Sequence, residues 1–147
     1  MRVILQRSLY SSVTVNDQIV GSINKGLVVL VGFTEGDSTK DICYLADKIV
    51  HLRIFDDEKG VMNKSLLDIK GDILSVSQFT LYADPYDGRR PSYTASLNQE
   101  LAKPLYDEFN KKLESYNIKV STGIFRADML VNIKNDGPIT IMIESRK

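Results

Sequence analysis

Gly26-Leu27-Val28-Val29-Leu30-Val31-Gly32 decides the fold class of this chain. Five consecutive apolar residues between two glycines leave no polar face, so the segment reads as a strand buried on both sides. Such a strand needs neighbours at both edges and cover on both faces. Upstream, Val3 to Val15 reads as a strand, with Val13 and Val15 alternating against Ser12 and Thr14. Asn16-Asp17 makes a turn, and Ile19 to Ile23 returns. Downstream, Ser38 opens a helix with Asp41 three residues on, in the manner of a capping box. Ile42, Leu45, Ala46 and Ile49 then form one apolar stripe.

Arg53-Ile54-Phe55 reads as a short strand ended by Asp56-Asp57-Glu58-Lys59-Gly60, and Ile73 to Tyr82 as a long one. Residues 83–92, with Pro85, Gly88 and Pro91, read as a loop. A second amphipathic helix covers 98–116, with Leu101, Leu105, Phe109 and Leu113 spaced by four. Asp107 with Lys111 and Glu108 with Lys112 support its wet face, and Pro104 places the start of its regular part. Two closing strands are expected at about 128–134 and 139–144. With no repeat, low-complexity stretch or linker, the expectation is one domain over residues 1–147. Its class is α+β, an antiparallel-rich sheet or barrel-like core covered by two main helices.

Composition narrows the function. Hydrophobic residues make up 43% of the 147 and charged residues 26%, an ordinary globular balance. No apolar run reaches the roughly 20 residues of a spanning helix. Arg2 and Arg7 flank only Val3-Ile4-Leu5 and Gln6, too short an apolar stretch for a secretory signal. The single cysteine, Cys43, fits a reducing compartment, so a cytoplasmic location is expected. Nineteen basic residues balance nineteen acidic ones. A protein that grips long stretches of nucleic-acid backbone carries a basic excess. Any RNA bound here is expected to be touched over a small part, with specificity from a pocket rather than a charged surface, and no DNA partner is expected.

Common site types are absent. His51 is the only histidine; near a helix C-terminus it gains from the dipole without doing chemistry. Cys43, beside Ile42 and Tyr44, reads as a small core residue. A Walker loop, a GxSxG elbow and an HExxH pair are missing, so neither a metal nor a cofactor is expected.

Two strings remain. Ser77-Gln78-Phe79-Thr80 packs polar groups into a strand that should be mostly buried. It fits equally a strand tolerant of serine and threonine, and a strand end whose Gln amide and backbone N–H cradle an oxyanion. Asn135-Asp136-Gly137-Pro138 reads by itself as a hairpin turn between two apolar strands.

Together, however, SQFTL at 77–81 and NDGPIT at 135–140 resemble the two signatures of the D-aminoacyl-tRNA deacylases. Gln6-Arg7, RIFDDEKGVMN at 53–63, GRRPSY at 88–93 and FRADM at 125–129 agree with the same family, collinearly over nearly the whole chain. The resemblance implies a homodimer with the site at the subunit interface, and hydrolysis of the ester linking a D-amino acid to the tRNA 3′ end. It extends to glycyl esters mischarged on tRNA-Ala. It implies a cis Gly137–Pro138 peptide whose two carbonyls project into the partner's pocket and reject L-amino acids. Arg7 would tether that motif, Phe125 and Met129 would line the pocket for the terminal adenosine, and the RNA's 2′-OH would take part. Ser77, Gln78, Phe79 and Thr80 would form the catalytic strand end. Tyr93 and Arg126 depart from the family, which often has Phe and Gly or Ala there; Arg126 would add a phosphate contact or narrow the rim. The competing class is a non-catalytic dimeric module for RNA ends or a small metabolite.

Overall fold

A computed structural model describes residues 1–145. Its strands are β1 (Arg2–Val15), β2 (Gln18–Ile23), β3 (Gly26–Gly32), β4 (Phe55–Asp56), β5 (Met62–Lys64), β6 (Asp72–Ser77), β7 (Val120–Thr122) and β8 (Leu130–Glu144). Its helices are α1 (Thr39–His51) and α2 (Gln99–Glu114). The main sheet runs β2-β1-β3-β6-β7, with β8 on the other side of β1, while β4 and β5 form a separate hairpin.

β3 meets the demand its composition makes. Leu27, Val29 and Val31 face a core shared with Ile42, Leu45 and Ile49 of α1 and Phe109 and Leu113 of α2. Val28 faces the opposite way into a smaller core with Val13, Ile23, Leu74 and Val76, closed by Met129, Val131 and Ile133. Both faces are therefore covered, with Leu30 alone partly exposed, as five unbroken apolar residues require.

The sheet is mixed, which qualifies the antiparallel-rich expectation. β1 runs antiparallel to β2, β3 and β8. β6 is parallel to both β3 and β7. Parallel neighbours need a long crossover, and α1 and α2 each lie within one. The Ser121 hydroxyl on β7 donates to the Ser22 carbonyl on β2 at 2.9 Å, so the sheet nearly closes on itself.

Helix α1 begins as read, with the Ser38–Asp41 capping box in place. Cys43, expected in the core, is instead exposed. It follows Ile42 by one residue, about 100° round the helix, which turns it out of the stripe. In α2 the apolar face also differs from the expectation. Leu101 is exposed, and the buried set is Ala102, Tyr106, Phe109, Asn110 and Leu113. A strict spacing of four drifts about 40° per step on a helix of 3.6 residues per turn, so one face cannot keep it. The helix starts at Gln99 on an Asn98 cap that accepts from the Glu100 N–H, and Pro104 lies inside it. Asp107 pairs with Lys103 rather than Lys111. Tyr106 donates to the Ser75 carbonyl at 2.8 Å, and its burial pushes the phenol above its ordinary pKa.

Two corrections bear on the site. The strand expected at 73–82 stops at Ser77, and Phe79–Tyr82 forms a short 3₁₀ turn. The turn abolishes the two-sided alternation expected of residues 77–80. The two closing strands are one, β8, and Asn135-Asp136-Gly137-Pro138 lies within it rather than at a hairpin. Residues on both sides of the string pair with the same strand, β1.

Candidate active site

The protrusion on β8 can be counted from its register. Gln6 pairs with Thr140 and Ser8 with Asn135, so two steps along β1 oppose five along β8. The surplus residues around Asp136-Gly137-Pro138 are displaced from the ladder, as in an enlarged bulge. The Gly137–Pro138 peptide is cis, and both residues are exposed.

Side chains beneath fix this bulge. The Asn135 amide donates to the Arg7 carbonyl at 2.9 Å and to the Ile139 carbonyl at 3.0 Å, bridging its neck. The Asn135 Oδ1 accepts from Gln6 at 3.1 Å and from the Thr140 hydroxyl at 3.2 Å. Arg7 is only 7% exposed. Its Nε stands 2.9 Å from Asp136 Oδ2, an ion pair without the alignment of a good hydrogen bond. Nη1 donates to the Ile54 carbonyl at 2.9 Å and lies 3.4 Å from Asp56. Nη2 lies under Gly137: a Cβ there would meet it at 3.1 Å, at a φ of +111° that disfavours L side chains.

The stretch at 53–63 supplies those partners. Asp57 organises its turn by accepting from the Lys59 and Val61 backbone N–H groups, at 2.9 and 3.1 Å. These bonds, that from Val61 first, lower the Asp57 pKa. Gln6, Asn135 and Thr140 lie in Gln6-Arg7 and NDGPIT, yet no local pattern signals their network, because it depends on which residues of β1 and β8 stand opposite each other.

A second feature lies at the carboxyl end of β6. A cavity of about 260 Å³ is lined by Ser77, Gln78 and Phe79 on one side and by Phe125, Arg126 and Met129 on the other. Val76 and Val131 of the smaller core make part of its wall. Strings separated by some fifty residues thus meet in one pocket. Phe125 leans on Tyr106, with ring centroids 5.7 Å apart. Phe79 makes an edge contact with Tyr93 at 5.2 Å, and its carbonyl accepts from the Ser96 hydroxyl at 2.7 Å.

Gln78 donates its side-chain amide to the Thr80 hydroxyl. Its backbone N–H continues the β3 ladder to Val31 O at 2.8 Å. As the first residue of the 3₁₀ turn, Phe79 has no intrahelical acceptor for its N–H. Among the described residues, no side-chain base is bonded to Thr80, which is absent from the cavity lining.

Gly137, Pro138 and Arg7 do not line this cavity. Val131 on the cavity wall pairs with Val13, whereas the bulge sits over Arg7. Six residues of β1 separate the two, roughly 20 Å at 3.3 Å per residue.

His51 bonds the Asp47 carbonyl at 2.8 Å and meets Tyr116 edge-on, a structural arrangement that touches neither the cavity lining nor Arg7. Among the described residues, no group of three His, Cys, Asp or Glu side chains is placed to hold a metal ion. No helix among them is long and apolar enough to cross a membrane.

The model of the D-Tyr-tRNA(Tyr) deacylase family matches residues 4–144. The chain belongs to that family. D-aminoacyl-tRNA deacylases of Clostridium tetani and Thermosipho melanesiensis are each 56% identical to it, covering 100% of this chain and 99% of theirs. Among solved structures, the c-Myc DNA Unwinding Element Binding Protein is 36% identical, with a TM-score of 0.94 over the whole of both chains. Its name records a DNA element bound by that protein. The bulge of β8 and the pocket of β6 therefore belong to a deacylase fold, an enzyme family of hydrolases.

Proposed function

We propose that this chain hydrolyses the ester of D-aminoacyl-tRNA, releasing D-amino acid and tRNA. One observation carries the reading: in a chain of this family, Ser77, Gln78 and Phe79 share a cavity with Phe125 and Met129. The two half-buried side chains from 125 and 129 give an apolar seat for the terminal adenosine. The seat places the 3′ ester against the end of β6. An aminoacyl ester is already activated, so positioning and oxyanion stabilisation carry most of the acceleration.

The Gln78 amide has a second N–H beyond the one given to Thr80. With the Phe79 N–H it forms the donor pair for the oxyanion. Ser77 fixes the strand end, and Thr80 holds Gln78 in place. Water attacks the carbonyl, the tetrahedral intermediate collapses, and the 3′ oxygen leaves with a proton supplied through the neighbouring 2′-OH. Release of D-tyrosine from D-Tyr-tRNA by purified protein in EDTA tests this reading; no release would leave a non-catalytic RNA-end module. In the same assay Thr80→Ala should lower turnover modestly, far less than the roughly 10⁴-fold or greater loss seen when a covalent nucleophile is removed. A trapped aminoacyl–Thr80 ester would overturn the assignment.

Chiral selection belongs to the bulge of a second copy. The carbonyls of Gly137 and Pro138 stand roughly 20 Å along the sheet from their own cavity. The edge of β8 away from β1 is unpaired among the described residues, and exposes Leu130 and Met142. A long edge strand carrying apolar side chains is a surface for association. An isologous dimer would cover it and bring each bulge to the partner's cavity. Activity should then fall on dilution in step with dimer dissociation. A monomer by light scattering with full turnover would refute this.

A further inference from the structure

The cavity at the end of β6 has one lining residue in an unfavourable backbone conformation. Residues 124–127 form a turn closed by the Ala127 N–H and the Ile124 carbonyl at 3.1 Å. Arg126 occupies its third position with a φ of +70°. Turns with positive φ at that position call for glycine or asparagine, because an L side chain crowds the backbone there. A long cationic side chain is thus held where a side chain is costly.

Its surroundings do not account for it. Arg126 is exposed and, among the described residues, takes part in no hydrogen bond, ion pair or ring stacking. Among the described residues, Asp128 is the only other charged residue of the cavity lining, and no salt bridge joins it to Arg126. Lys103, at 5.9 Å from the Phe125 ring centroid, is neutralised by its ion pair with Asp107, so without Arg126 the unpaired charge of the lining would be the Asp128 carboxylate, which repels an RNA end.

We propose that Arg126 is a substrate-binding residue that clasps the phosphodiester on the 5′ side of the terminal adenosine. This rests on the adenosine reading of the cavity given above. A nucleoside seated on Phe125 and Met129 brings its 5′ oxygen out through the rim, where the linking phosphate needs a partner. Guanidinium suits a phosphate because it offers several donors in a planar fork. The cation also offsets Asp128 without being consumed by it. Arg126 acts in binding and stands apart from the ester, so its removal should alter affinity for the strand and leave the chemical step alone.

The test compares wild type, Arg126→Gly and Arg126→Lys, using adenosine and the dinucleotide CpA as ligands and D-Tyr-tRNA as substrate. Wild type should bind CpA several-fold more tightly than adenosine, and Arg126→Gly should lose that preference. Arg126→Gly should raise KM about 5- to 20-fold with kcat little changed. Its slope of log(kcat/KM) against log salt should become shallower by about 0.7, the value for one single-strand phosphate contact. Relief of the backbone strain should raise its Tm by about 1–4 °C. Arg126→Lys should keep the salt slope and recover part of KM. Equal binding of CpA and adenosine by wild type, or an unchanged salt slope in Arg126→Gly, would overturn the inference. Failure of wild type to hydrolyse D-Tyr-tRNA while still preferring CpA would instead count against the catalytic reading alone.

Discussion

Wild-type protein should cleave D-Tyr-tRNA about 10²-fold faster than L-Tyr-tRNA, and should cleave Gly-tRNA as well. If the Gly137 and Pro138 carbonyls of the partner capture the substrate ammonium, the substrate Cα is fixed. Only one of its remaining directions then opens away from the bulge. A D side chain takes it, while an L side chain is driven against backbone. A steric conflict worth 1–3 kcal/mol is typical when atoms are forced into occupied space, and about 2.7 kcal/mol is already 10²-fold. Backbone held from below by Asn135 and Arg7 has little room to yield. The exclusion acts on a side chain, so glycine, which has none, meets no barrier. Glycyl esters on tRNA-Ala are accordingly part of the proposal. Comparable initial rates for the L- and D-tyrosyl esters would sink the chiral filter, whatever the rate with glycine.

Arg7→Ala should lose most D-aminoacyl hydrolysis, on the order of 10²-fold in kcat/KM. The guanidinium joins the bulge, through Asp136, to the hairpin stretch, through the Ile54 carbonyl and the Asp56 carboxylate. Its Nη2 also underlies Gly137. Truncation to alanine leaves the bulge without its floor and removes the cation that Asp136 faces. A misplacement of about 1 Å in a positioned group can cost roughly 10²-fold in rate. Arg7→Lys should rescue poorly, because an ammonium cannot hold the same points in a fixed plane. Circular dichroism and a urea titration separate misplacement from unfolding: the expected variant stays folded and dimeric while turnover drops. A folded, dimeric Arg7→Ala with wild-type turnover would refute the tethering role.

Elements whose residues carry their own instructions were legible in the chain before any contact was known. The glycine-bounded run 26–32 could only be a strand dry on both faces, and it packs into two cores. The Ser38–Asp41 cap and the stripe at 42, 45, 46 and 49 placed α1 to within a residue, because capping and helical period are local properties. The quoted strings, taken as a resemblance, named the family that the comparisons show.

The rest follows from long-range contacts. Asp-Gly between apolar runs is a sound local signal for a hairpin. Here both flanking runs find the same partner in β1, so the residues between them are extruded from a continuous strand. The strand through Ser77-Gln78-Phe79-Thr80 ends early, and the 3₁₀ turn lifts Thr80 away from the cavity that Ser77, Gln78 and Phe79 line. Local propensity favours continuing the strand, but nothing in the string itself says where the ladder to β3 runs out. Cys43 and Leu101 went to water because helix rotation, not residue type, assigns the face. The pocket joins residues 77–79 to residues 125–129, and the floor of the bulge joins Arg7 to Ile54 and Asp136. Such encounters follow from strand order and register, which are set by the cooperative burial of both faces of the sheet and are written in no single stretch of the chain.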